Sequence, residues 1–136
     1  AFYRNLDVLC ICSLNSTESF GLVQIEAMRN GVPVAACALP GVRQPVTMTG
    51  MGEVTAVGDA EALAEALIRI LSDTAHYRRP AETIADSFSP AQTAAEYARL
   101  FQALLRGERL GPTAEPPAYE RLRALRAEPM TAEETR

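Results

Sequence analysis

Apolar residues fall into blocks of two kinds along the 136-residue chain. "VLCICSL" at 8–14 and "VPVAACAL" at 32–39 are near-continuous apolar runs too short for helices. That is the pattern of strands buried on both faces of a parallel sheet. Between them, "FGLVQIEAMRNG" reads as a helix that starts near Phe20, after the capping side chains of "NSTES". Gly31 stops it in the left-handed conformation after Asn30, and Pro33 cannot extend it. An irregular stretch, "PGVRQPVTMTGMG", leads to a third short strand, "EVTAV" at 53–57. Asp59 then caps a helix in which Leu63, Leu67, Ile70 and Leu71 share one stripe at a period of 3.6. After Asp73 the chain is polar as far as "HYRRPAETIADSF". Ser89-Pro90-Ala91-Gln92 places Ser as cap, Pro at the first helical position and Gln at the third. The helix it opens runs to about Arg106, with Ala94, Tyr97, Leu100, Phe101, Leu104 and Leu105 as its apolar side. From Gly107 onward the composition changes: "GERLGPTAEPPA" is a linker and "YERLRALR" a short helix in a poorly ordered, flexible tail spanning 107–136.

The order β-α-β-loop-β-α predicts an α/β domain with parallel strands, whose ligands bind at the carboxyl ends of the strands. The loop at 15–20 lies at such an end. With 48% hydrophobic and 22% charged residues, the chain has material for one globular domain with a modest core, not two. A net charge of −4 excludes a general nucleic-acid binder, which leaves a basic footprint. All 13 basic residues are arginine, so P-loop and Schiff-base lysine chemistry is absent. Cys10, Cys12 and Cys37 stand inside apolar runs and read as buried free thiols in a reducing cytoplasm. With His76 distant in a polar stretch they make no zinc set, and no metal is assigned. No apolar run approaches the roughly 20 residues of a membrane span, and the start lacks a signal-peptide pattern. Peripheral membrane contact is left open. The first residue is Ala1, on what reads as the end of a helix, so the sequence is expected to begin inside a longer one.

Two carboxylates, Glu18 and Glu26, flank the start of the first helix. Their spacing carries nothing alone, because the same interval recurs between Glu53 and Glu61 and between Glu120 and Glu128. Context separates them. Free N–H groups at a helix start face the mouth of the sheet and suit an anion, and Gly21 lets a ligand approach the backbone closely. From Gly21 to Glu26 the helix rises about 7.5 Å, which suits a nucleotide lying along it with its ribose hydroxyls on Glu26. By residue type alone Glu26 is an ordinary solvated glutamate. Its neighbours Leu22, Val23, Ile25, Ala27 and Met28 make the helix apolar over most of its surface, and a buried carboxylate needs partners. Glu18 reads either as a charge stabilising the helix start or as a contact to whatever hangs from the far phosphate. Ser16, Thr17 and Ser19 are caps rather than nucleophiles, since no G-x-S-x-G elbow is present.

Residues 2–106 resemble the C-terminal part of a retaining GT-B glycosyltransferase of family 4 (glycosyl transferases group 1), whose donor-site signature is Glu, seven residues, Glu. It stands here as Glu18-Ser19-Phe20-Gly21 leading to Glu26-Ala27-Met28, followed by "NGVPVAA". "FYRNLDVLCICSL" upstream and "PGVRQPV", "TGMGEVTAVGDAEALAEAL" and "FSPAQTAAEYARLFQALL" downstream follow the family's order. The resemblance implies a partial Rossmann-like parallel sheet, the C-terminal portion of the GT-B nucleotide-sugar-binding domain, over 1–106. It also implies transfer of a sugar from a nucleotide-diphosphate sugar to an acceptor with retention, without a bound metal or other cofactor. Glu18 would contact donor-sugar hydroxyls as the catalytic-site carboxylate. The backbone at Ser19, Phe20, Gly21 and Leu22 would meet sugar and diphosphate, and Glu26 the ribose. Gln44 departs from the family, which often carries an acidic residue there. Arg43 reads as solvated rather than as a donor contact.

The family's N-terminal acceptor domain and the first part of its donor domain are not in this sequence. They are expected in cis or in trans, and the chain alone is expected to be inactive and poorly soluble. Two alternatives are a non-catalytic nucleotide-binding subunit completed by a partner chain and an inactive fragment. Nucleotide base, sugar, acceptor and oligomeric state are not legible.

Overall fold

The computed structural model describes residues 2–108 together with Leu122 and Ala124. The rest of the expected linker and tail lies outside the described residues. The two described residues beyond 108 are helical, and Leu122, at 1% exposure, belongs to the core.

Three strands form one parallel sheet in the order β1 (Leu9–Ile11), β2 (Val34–Cys37), β3 (Gly52–Thr55). Register pairs Leu9, Cys10 and Ile11 with Val34, Ala35 and Ala36, and then Val34 to Cys37 with Gly52 to Thr55. Helix α1 (Leu22–Met28) connects β1 to β2, and α2 (Gln44–Thr49) connects β2 to β3. Helix α3 (Ala60–Ser72), a 3-10 turn at Thr74–Tyr77, α4 (Ala81–Ser87) and α5 (Pro90–Leu105) follow. The parallel α/β expectation holds.

Side chains alternate across the sheet, so neighbours in register share a face. One face carries the larger core, where Val34 and Ala36 meet Ile25, Met28, Val42, Met51 and Ile84. On the other face Ala35 packs with Ile70 of α3 and with Tyr77. All four residues of β2 are buried, whereas β1 is only partly covered. The expectation of a fully buried first strand is corrected here: β1 is an edge strand in this sheet, and Cys10 and Cys12 are exposed while Cys37 is buried. All three thiols are free.

Capping chemistry sets the longer helices as the sequence indicates. Asp59 accepts a hydrogen bond from the Ala62 amide at 2.9 Å, and Ser89 from the Gln92 amide at 3.1 Å. Gly31, with φ +75°, closes the turn after α1. In α3 Ile70 is buried and Leu63 and Leu67 pack against the same cluster, as expected, while Leu71 is exposed and Ala66 takes the remaining buried position. Helix α1 opens at Leu22, two residues after the expected start.

Two elements were not expected. The stretch read as irregular contains α2, with Pro45 in its first turn and Gly50 at its end. Thr49 Oγ1 secures it by donating to the Pro45 carbonyl at 2.8 Å and accepting from the Met51 amide at 3.1 Å. The polar segment after Asp73 contains α4, held by Ile84, whose side chain is wholly buried. On α5, by contrast, Tyr97, Leu100, Phe101, Leu104 and Leu105, residues of its expected apolar side, are all exposed.

On the α3 face, the Tyr77 hydroxyl donates to Glu53 Oε1 at 2.5 Å, and Arg69 lies 3.7 Å from the other Glu53 oxygen. Burial first, then this bond and the Glu53 charge, push the Tyr77 phenol up to about 12 from an ordinary value of 10.0.

Truncating Ile84 to Ala should cost about 2–5 kcal/mol, because α4 has no other fully buried apolar anchor. A urea midpoint within error of the parent would show that α4 contributes no core. A folded-state phenol pKa above the unfolded one adds stability that is complete below pH 10 and is lost as pH rises towards 12. The chain has no lysine to titrate in that window. Urea midpoints measured from pH 9 to 12 should therefore fall less steeply for Tyr77→Phe than for the parent, and equal slopes would refute the assignment.

Candidate functional site

The loop from Cys12 to Gly21 leaves β1 at its carboxyl end and delivers the chain to α1. Asn15 shapes its first half: its side-chain oxygen accepts from the Thr17 amide at 3.2 Å and from the Thr17 hydroxyl at 2.6 Å. Glu18 shapes the second half, with Oε1 accepting from the Gly21 amide at 3.0 Å. Glu18 is thus a local cap with its second oxygen uncommitted by that bond. Phe20 is anchored by its side chain, which packs against the main core with its ring 6.5 Å from that of Phe88. The amides of Phe20 and Leu22 have no hydrogen-bond partner among the described residues.

Gly21 adopts φ +78°, a conformation costly for any residue with a side chain. The space where its Cβ would stand is taken: Gln24 Nε2 lies 2.6 Å from that point. The close neighbour of Gly21 is therefore an internal amide. A second exclusion lies across the site. A Cβ at Gly41 would sit 1.6 Å from the Ser19 carbonyl oxygen, so the loop after β2 and the loop after β1 touch backbone to backbone.

Gln24 joins the same two loops. It is fully buried, and its Nε2 donates to the Phe20 carbonyl at 3.2 Å and to the Val42 carbonyl at 2.9 Å. Turning the amide over would set its oxygen against two carbonyl oxygens, so the orientation is determined by its surroundings. Among the described residues Gln24 Oε1 is buried without a partner. Gln44, the departure from the family pattern noted above, donates to the Pro40 carbonyl at 3.0 Å and braces the same loop, and Arg43 beside it is exposed.

Helix α1 buries Gln24, Ile25, Ala27 and Met28 and exposes Leu22, Val23 and Glu26. The expectation that apolar surroundings bury the Glu26 carboxylate is corrected: the buried polar side chain of this helix is Gln24. Glu26 instead stands on the outer face, where its Oε2 accepts from the Tyr3 hydroxyl at 2.5 Å. That bond, with the carboxylate charge behind it, raises the Tyr3 phenol above its ordinary value. The 3-10 turn Tyr3–Asn5 is held a second time where Arg4 Nε donates to Asn30 Oδ1 at 3.3 Å. Asn30 in turn donates to the Glu26 carbonyl at 2.8 Å.

The structure thus brings Glu18, Ser19, Phe20, Gly21 and Leu22 into one turn at the carboxyl end of β1, with Glu26 one helical turn beyond. It adds Tyr3, Gln24 and Gly41. Gln24 was detectable in principle, since it falls on the same helix face as Ala27 and Met28. Tyr3 lies 23 residues from Glu26 and carries no local signal.

A separate crevice of about 290 Å³ opens at the strand ends on the α3 side, lined by Cys12, Leu14, Cys37, Thr55, Asp59 and Leu63 among others. None of the expected site residues lines it. Partial burial first, then Cys12 and Cys37, raise the Cys10 thiol. Among the described residues, no group of three or more His, Cys, Asp or Glu side chains could hold a metal ion, and no helix is long and apolar enough to cross a membrane.

Known proteins resemble this chain in sequence and in fold. The chain is 33% identical over 121 residues to a D-inositol 3-phosphate glycosyltransferase of Corynebacterium urealyticum, covering 87% of this chain and 28% of that protein. It is 39% identical over 71 residues to a phosphatidyl-myo-inositol mannosyltransferase of Mycobacterium leprae, covering 52% of this chain and 19% of the relative. Among solved structures, sucrose-phosphate synthase from Thermosynechococcus elongatus matches with a TM-score of 0.62 and 33% identity, over 79% of this chain and 27% of that one. The fold is that of a GT-B glycosyltransferase domain. The chain spans under a third of the length of each of these proteins. The family described as glycosyl transferases group 1 matches residues 1–86, more than half of the 136 present, and the chain belongs to that family.

Proposed function

We propose that this chain supplies the donor-binding portion of an enzyme that moves a sugar from a nucleotide-diphosphate sugar to an acceptor with retention at the anomeric carbon. The observation that carries the reading is the placement of Glu26. Its carboxylate is solvent-facing, held by Tyr3, and one helical turn from a loop whose Phe20 and Leu22 amides are unclaimed. A nucleotide lying along α1 sets its ribose hydroxyls on Glu26 and its diphosphate at the loop. A carboxylate oxygen has two lone pairs, so Glu26 accepts from Tyr3 and from ribose together.

Glu18 then serves both of its candidate roles. One oxygen holds the Gly21 amide, and the other meets hydroxyls of the donor sugar beyond the diphosphate. The loop amides are preorganised dipoles aimed at the charge that grows on the departing diphosphate, the electrostatic contribution such a transfer requires. No metal or cofactor enters this reading. The acceptor pocket belongs to a further domain, in cis or in trans, and three unpaired cysteines fit a cytoplasmic setting.

In the complete protein, Glu26→Ala should weaken nucleoside-diphosphate binding roughly 100-fold, the loss of two hydrogen bonds to a charged group. Calorimetry showing an unchanged Kd would end the ribose assignment. Tyr3→Phe removes the hydroxyl that orients the carboxylate and should weaken binding by about threefold to tenfold. Tighter binding would instead mean that Tyr3 competes with the ligand for Glu26.

A further inference from the structure

Gln24 is polar, wholly buried and directed at backbone rather than at solvent. Three observations meet at this side chain. Its Nε2 bridges the carbonyls of Phe20 and Val42, residues on loops that leave two different strands. The Gly21 backbone comes so close to that amide that no Cβ fits between them, and Gly41 admits the Ser19 carbonyl on the far side of the same junction. Among the described residues its Oε1 has no partner, so the core holds this residue with one polar group unsatisfied. Leucine or methionine would fill the same volume without that group.

We propose that Gln24 is a positioning residue for the diphosphate of the donor: by tying Phe20 to Val42 it holds the turn 18–21 in the one arrangement that aims the Phe20 and Leu22 amides outward. The inference rests on the donor-site reading above and adds a division of labour within it. Glu26 stands on the outer face of α1 and takes its orientation from Tyr3, whereas Gln24 is buried on the inner face. Phe20 and Gly21, in contrast, touch Gln24 directly. Loss of the tie therefore acts on the phosphate end of the ligand and spares the ribose end.

The test uses the complete protein with Gln24→Met and Glu26→Ala, titrated calorimetrically with the mono- and diphosphates of uridine, guanosine, adenosine, cytidine and thymidine. The readout is the diphosphate increment, the ratio of the monophosphate Kd to the diphosphate Kd for the base that binds. Gln24→Met should lower that ratio roughly tenfold, as expected for loss of a buried hydrogen-bonded tie, with the monophosphate Kd within about twofold of the parent. Glu26→Ala should weaken both nucleotides and leave the ratio unchanged. Equal weakening of both nucleotides by Gln24→Met, or no change in either, would overturn the positioning role while leaving the donor site standing. A parent that binds no mono- or diphosphate of any of the five bases, or a Glu26→Ala variant that binds like the parent, would overturn the donor-site reading and this inference with it.

Discussion

The central strand β2 is enclosed on both edges by parallel neighbours and on both faces by side chains, and everything else in the structure is arranged around that enclosure. Its four residues, Val34-Ala35-Ala36-Cys37, are small enough for helices to approach each face and leave no polar side chain to satisfy. Parallel pairing forces each connection to cross from one end of the sheet to the other, so the loops after β1 and β2 emerge side by side. That is why the turn at 18–21 and the turn at 40–43, distant in sequence, meet backbone to backbone.

What the sequence made legible follows how local each signal is. Asp59 and Ser89 announce their helices through side chains that bond to amides three residues on, and the structure keeps both. Helix α2 stayed hidden because its six residues, Gln44 to Thr49, are too few to show a period. Helix α4 stayed hidden because a single buried residue, Ile84, anchors a polar run. The edge position of β1 is a matter of sheet order, and the runs around Cys10 and Cys37 look alike whether their flanks are covered or open.

The candidate site divides in the same way. Glu18 and Gly21 are near neighbours, and the cap between them follows from adjacency. Glu26 was identifiable by motif, yet its environment was not, because a helix seven residues long turns some apolar side chains to solvent and a glutamine to the core. Leu22 at 70% exposure and Gln24 at 0% reverse what hydrophobicity alone assigns to them. The reversal has a cause in the second loop: Gln24 meets a carbonyl from Val42, which composition around α1 cannot reveal.

The contact between Ser19 and Gly41 has a bearing on how such a chain can diversify. With no room for a single extra carbon at that junction, neither loop can gain length or bulk there unless the other withdraws. New specificities on this scaffold must therefore arise from residues on the outer rim of the loops, or from both loops changing together.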